Sequence, residues 1–213
     1  MIKKAILLNL SLLLFFSSCE KKEPFVYEYE KNPVFTWGYA DFWGDFYSAY
    51  RVQENVLSLS VFTNDLSVDS ASGNLKGIGQ YLFLEDIFVT PSDTLLPNGT
   101  YTVSESTGPF SIAPGKVLEI DGQKFEVGTF VFFVEKNELY TITKFVSSGT
   151  MKVLNAGHYT RVNFNFVLND STRIEGLFEK PLPYFDSRFI DLNAPAGIRS
   201  RLSHLRLSEN RLK

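Results

Sequence analysis

"YTRVNFNFVL", residues Tyr159–Leu168, alternates between polar and apolar side chains from Arg161 to Phe166. Val162, Phe164, Phe166 and Leu168 point one way; Arg161, Asn163 and Asn165 point the other. Successive residues of an extended chain face opposite sides, so a period of two predicts a strand with one buried and one wet face. "NDS" at 169–171 supplies turn chemistry, and "TRIEGLFEK" at 172–180 returns. In the return, Ile174 and Phe178 oppose Arg173, Glu175 and Glu179. The two runs predict a β-hairpin that is dry on one side.

The same texture extends through most of the chain. Helical periodicity is nearly absent from 34–186, and further strands are predicted at 52–63, 77–89, 100–103, 116–120, 129–134, 139–146 and 150–154. Turn signals divide them: "VDSASGN" at 68–74, "TPSD" at 90–93, Pro97-Asn98-Gly99, and Asp121-Gly122, which suits a type I′ hairpin. Short strands spaced by turns predict an all-β domain, an antiparallel β-sandwich or barrel of about eight to ten strands. No fixed internal period marks a repeat array.

The N-terminus has a different purpose. Lys3 and Lys4 precede "AILLNLSLLLFF" at 5–16. That run of about twelve residues is too short for the ~20 that span a bilayer, and has the form of a secretory signal. It ends in "FSSC", where small residues directly before Cys19 resemble the lipobox of bacterial lipoproteins. The resemblance implies cleavage before Cys19 and lipid on its sulfur. Cys19 is the only cysteine of the chain, so it has no disulfide partner within it. "CEKKEPFVYEYEKNP", charged and proline-bearing, reads as a tether. The predicted organisation is a signal at 1–18, a tether at 19–33, the all-β domain at 34–187 and a C-terminal tail at 188–213.

In the domain, "GDFYSA", "GQYLFLEDIFV", "LPNGTYTVSE", "GTMKV" and "STRIEGLFEKPLPYFD" resemble the landmarks of small all-β surface lipoproteins of the Bacteroidota. The resemblance covers about residues 36–186. It implies a lipid-anchored protein of the outer membrane or cell surface and transfers no catalytic residue.

Charge and composition narrow the function. The signal carries two lysines, so the 21 basic residues fall to 19 against 24 acidic ones in the mature chain. Basic residues are scattered through the domain, and no nucleic-acid interface is expected. The tail is an exception. Ile198, Leu202, Leu205 and Leu212 follow near-helical spacing among Arg199, Arg201, Arg206, Arg211 and Lys213. Such stretches form surface helices or lie on membranes.

Catalytic patterns are lacking. His158 and His204 form no metal-ligand spacing, and Gly-x-Ser-x-Gly does not occur. Paired glycosidase carboxylates stand about 5–9.5 Å apart, whereas Asp41 and Asp45 on one strand would be about 13 Å apart. Glu85 and Asp86 are neighbours, so a regular strand would send them to opposite faces. Asp65 and Asp69 fit turn positions better than a calcium loop. No enzyme, cofactor or metal is expected.

The densest aromatic stretch is "TWGYADFWGDFYSAY" at 36–50, which holds both tryptophans. Read as one strand, it places Phe35, Trp37, Tyr39, Asp41, Trp43, Asp45 and Tyr47 on one face. Two aspartates do not suit a purely buried face. Gly44 can bend the chain and exchange the faces after Trp43, and Phe42 and Phe46 are expected to pack inward. Ring faces beside carboxylates suit a hydroxyl-rich ligand. The sequence therefore predicts a non-catalytic binding site for a glycan or another small extracellular ligand at Trp37, Tyr39, Asp41, Trp43, Asp45 and Tyr47. A structural or adhesive role and a lipocalin-like carrier are the alternatives.

Overall fold

The computed structural model describes residues 30–68, 75–120, 122–135 and 138–188. The signal, Cys19, most of the tether, the tail from 189 onward and nearly all of "VDSASGN" lie outside these residues. The strands are β1 (Val34–Gly44), β2 (Asn55–Thr63), β3 (Leu66–Val68), β4 (Leu75–Gly77), β5 (Gly79–Val89), β6 (Gly99–Val103) and β7 (Ser111–Ile112). They continue as β8 (Lys116–Ile120), β9 (Gln123–Val127), β10 (Thr129–Glu135), β11 (Glu138–Ala156), β12 (Tyr159–Leu168), β13 (Arg173–Lys180) and β14 (Tyr184–Asp186).

The hairpin that opened the reading forms as expected. β12 and β13 pair antiparallel, with Phe164 opposite Gly176 and Phe166 opposite Ile174. Along β12, Val162, Phe164, Phe166 and Leu168 are buried while Arg161, Asn163 and Asn165 are exposed. The turn at 169–171 is closed by Ser171, whose φ of 68° lies in the left-handed region.

Eight strands close a barrel in the order β11–β12–β13–β1–β2–β5–β7–β6, with β6 returning to β11. At the other end of β5 and β11, β10 alone fills the space between them. The long strand β11 thus changes partner, from β10 through Phe145 to β6 from Thr150. Gly149 sits at this change with φ 126°, and a Cβ there would come within 2.2 Å of the Asn165 carbonyl oxygen. The two strands expected at 139–146 and 150–154 are one strand bent here. A glycine and a register shift interrupt the side-chain pattern without interrupting the ladder.

The barrel is mixed rather than wholly antiparallel. β1 runs parallel to β13 and β14, and β6 runs parallel to β7. Alternation specifies which face is buried but not the direction of the neighbouring strand. The end of the tether also belongs to the domain, since Lys31 and Pro33 accept backbone hydrogen bonds from Glu175 and Leu177 at 2.7 and 3.0 Å.

Inside the barrel, Leu57, Leu59 and Val61 of β2 meet Leu82, Leu84, Ile87 and Val89 of β5 and the apolar faces of β12 and β13. Nearly all have no surface that water can touch, so side chains fill the space between them. Each fully buried Leu, Ile or Phe contributes about 1.5–3 kcal/mol of apolar burial. β2 and β5 are also buried on their outward sides. Two outer clusters account for this: one around Phe62, Tyr81, Phe83 and Phe130, the other around Tyr47, Val52, Val56 and Phe88.

Candidate functional site

Strand β1 positions the aromatic stretch, and its irregularities decide which side chains emerge. A register shift against β2 lies between Phe35 and Trp37. Phe35 therefore joins the interior, and the expectation that it shares the face of Trp37 is corrected by this bulge. From there Gly38, Ala40 and Phe42 line the inner side, while Trp37, Tyr39, Asp41 and Trp43 alternate on the outer side, each partly exposed. Gly38 is required by close approach, since a Cβ would meet the Ser60 carbonyl oxygen at 2.5 Å.

Trp37 begins a ladder of rings. Trp37, Phe62, Tyr81 and Phe132 are successive cross-strand partners on β1, β2, β5 and β10. Their centroids lie 3.8, 4.4 and 5.6 Å apart, with interplanar angles of 6°, 2° and 20°. The indole N–H of Trp37 donates to the Leu66 carbonyl at 2.9 Å. Tyr39 belongs to the next row and meets Phe185 edge-on at 5.9 Å. Phe185, the register partner of Asp41, is 53% exposed.

Asp41 is held between two strands. It accepts hydrogen bonds from the hydroxyls of Ser187 at 3.0 Å and Ser58 at 3.4 Å. Ser58 also accepts the indole N–H of Trp43 at 3.1 Å. One buried hydroxyl therefore links the carboxylate to the tryptophan. Across Ser58, β5 bulges at Glu85 and Asp86, which are 7% and 2% exposed. Glu85 accepts the Gly128 N–H at 2.6 Å.

Gly44 ends β1 at φ 65°, and the chain folds back. This changes the placement of the last two predicted residues. Asp45 is exposed beyond the strand, next to the one-turn 3-10 helix Ser48–Tyr50. Tyr47 is fully buried against Val52, Val56 and Phe88, so it offers no surface to a ligand. Its expected place on the outer face is corrected. The turn after Gly44 sends the ring inward, where its hydroxyl donates to Asp86. Phe42 packs into the interior as expected, and Phe46 is half-buried against Trp43.

The structure thus brings Trp37, Tyr39, Asp41 and Trp43 onto one outward line and separates Asp45 and Tyr47 from it. Phe185 on this surface, and the buried hydroxyls of Ser58 and Ser187 that hold Asp41, were missed by sequence reasoning. Ser187 lies 146 residues from Asp41, and no local pattern signals such a contact. Beside this surface Arg188 holds Asp186 in a two-point ion pair at 2.6 and 2.9 Å. The hydrogen-bonded guanidinium keeps that carboxyl below the usual carboxylate range. Among the described residues, no group of three His, Cys, Asp or Glu side chains could hold a metal ion.

Ring faces, a carboxylate oriented by two hydroxyls and a bonded indole can accept hydrogen bonds and stack. No known protein family, curated protein or solved structure matches the chain.

Proposed function

We propose that the chain is a lipid-anchored, non-catalytic binding protein of the outer membrane or cell surface, attached to the membrane through lipid on Cys19. Its ligand is a glycan or a similar small hydroxyl-rich molecule laid along the outward face of β1. The observation that carries this reading is the line Trp37, Tyr39, Asp41, Trp43, with Asp41 fixed between Ser58 and Ser187. Residues two apart on a strand stand about 6.6 Å apart, so Tyr39 and Trp43 are about 13 Å apart with the carboxylate between them. That spacing suits an extended ligand gripped by two rings and a central acceptor. The experiment is a glycan array probed with lipid-free Cys19→Ser protein, alongside fatty-acid labelling of the wild type in cells. Binding to a defined oligosaccharide and labelling that depends on Cys19 support the reading. An array with no binding contradicts its ligand half, and equal labelling of Cys19→Ser contradicts its anchor half.

A structural or adhesive role is the second reading. Phe185 is prominent on β14, a three-residue strand that among the described residues pairs with β1 alone. Such an edge can accept a strand from another chain. A carrier would hold its ligand inside the barrel, where the buried side chains already pack.

A further inference from the structure

The side-chain donors along the outward line of β1 are turned into the protein. The indole N–H of Trp37 goes to the Leu66 carbonyl at 2.9 Å, and that of Trp43 to the Ser58 hydroxyl at 3.1 Å. Ser58 and Ser187 in turn donate their hydroxyl hydrogens to Asp41. The donor that remains on the line is the uncharged phenol of Tyr39, a partly exposed residue.

The strands beside the line add no positive charge to it. The register partners of Trp37, Tyr39 and Asp41 are Phe62, Ser60 and Ser58 on β2, and Phe185 stands beside Asp41 on β14. Both serines are almost fully buried, and the Ser60 hydroxyl is paired with that of Tyr81 at 3.0 Å. Arg188, the cation that follows Ser187, lies over the Phe42 ring and is held by Asp186 at 2.6 and 2.9 Å. The charge on the line itself is negative: Asp41 is partly exposed between the rings, and Asp45 is exposed just past Trp43. A ligand hydroxyl laid here meets a carboxylate, a strong acceptor. An anionic group meets a like charge, with ring faces and one phenol in place of its water, and both effects oppose its binding.

We propose, resting on the ligand reading above, that the β1 line selects its ligand by charge: it takes glycans that carry no anionic group and excludes uronates and sulfated sugars. Asp41 is the specificity-determining residue. Ser58 supports it in a second way. By accepting the Trp43 N–H it occupies the donor that an acidic sugar would use on that ring, and it leaves the indole face for C–H stacking. Selection then works by repelling the wrong ligand as much as by attracting the right one.

The test is an array that carries neutral oligosaccharides beside their uronate and sulfated counterparts, probed with lipid-free Cys19→Ser protein. Charge selection predicts that the neutral member of a bound pair is held about tenfold more strongly than the acidic one, or better. Asp41→Asn keeps the shape of the side chain and removes its charge. The folded variant should narrow the gap to about threefold or less by binding acidic sugars better. The wild-type gap should also shrink in ~1 M NaCl, where the Debye length falls to about 3 Å. An acidic sugar bound as strongly as its neutral counterpart, or more strongly, overturns the proposal and leaves the ligand reading standing. A gap that neither Asp41→Asn nor salt changes overturns the role given to Asp41. A wild type that binds no sugar of either kind overturns both readings.

Discussion

Tyr47 donates its hydroxyl hydrogen to Asp86, 2.9 and 3.1 Å from the two carboxylate oxygens, and both side chains are almost completely buried. The contact ties the loop after β1 to the bulge of β5, 39 residues away. It also explains why a tyrosine in the aromatic stretch leaves the outer face. A hydrogen bond to a charged group is worth about 1.5–3 kcal/mol. Tyr47→Phe should lower stability by that amount, read from urea unfolding, with the ring packing kept. An unchanged midpoint would show that Asp86 does not depend on this hydroxyl.

The register of the last hairpin gives a second test. Phe164→Ala and Phe166→Ala should each cost about 3–5 kcal/mol as large buried rings are removed. Asn163→Ala, on the exposed face of the same strand, should cost well under ~1 kcal/mol. Equal losses for Asn163→Ala and Phe164→Ala would mean that the faces are exchanged.

Two glycines with positive φ should respond differently to the same change. Gly149 has φ 126° and no room for a Cβ beside the Asn165 carbonyl, whereas Gly157 has φ 63° and nothing within 4 Å. Gly157→Ala carries only the left-handed penalty of about 1–2 kcal/mol. Gly149→Ala adds a backbone clash and should cost clearly more, with about 3 kcal/mol or loss of folding expected. Thermal melts of the two variants in parallel decide it, and the order Gly157 worse than Gly149 would contradict the bend assigned to β11.

Acid titration should reveal a small contribution from Asp170. The hydrogen-bonded Lys144 ammonium, 2.9 Å away, holds its carboxyl down at about 2 against an ordinary value of 3.8. A depressed carboxylate stabilises the fold above its unfolded value and loses that contribution as pH falls through the folded one. The difference between wild type and Asp170→Asn should therefore be present at neutral pH and fade between pH ~4 and ~2. Both partners are partly exposed and water screens them, so the difference at pH 7 should stay below about 1 kcal/mol. A difference that grows toward pH 2 would contradict the pairing.

These tests rest unequally on what the sequence made legible. β12 was readable because one of its faces meets water, so alternation survived in its residues. β2 and β5 are buried on both sides, and there Val56, Ser58, Ser60 and Phe62 face outward without a polar pattern to mark them. The outer face of β1 was readable from Trp37 to Trp43, where the strand is regular. It failed at Phe35, before the bulge, and at Tyr47, after Gly44 turns the chain. Closure of the barrel through β1 and β13 joins residues as far apart as Phe35 and Phe178, in parallel. Side-chain period carries no information about such a pairing. The same holds for Ser187 on Asp41, which turns an isolated aspartate into an oriented acceptor.

The central claim is that the outward line of β1 binds a ligand. Trp43 tests it best, because it is partly exposed and its N–H is bound to the hydroxyl that also serves Asp41. The measurement is glycan-array binding by lipid-free wild type and Trp43→Ala side by side, each checked for a native circular-dichroism spectrum. The account predicts that wild type binds at least one oligosaccharide and that Trp43→Ala, still folded, loses that signal by tenfold or more. A folded Trp43→Ala protein with the wild-type binding pattern, or a wild type that binds nothing on the array, would contradict it.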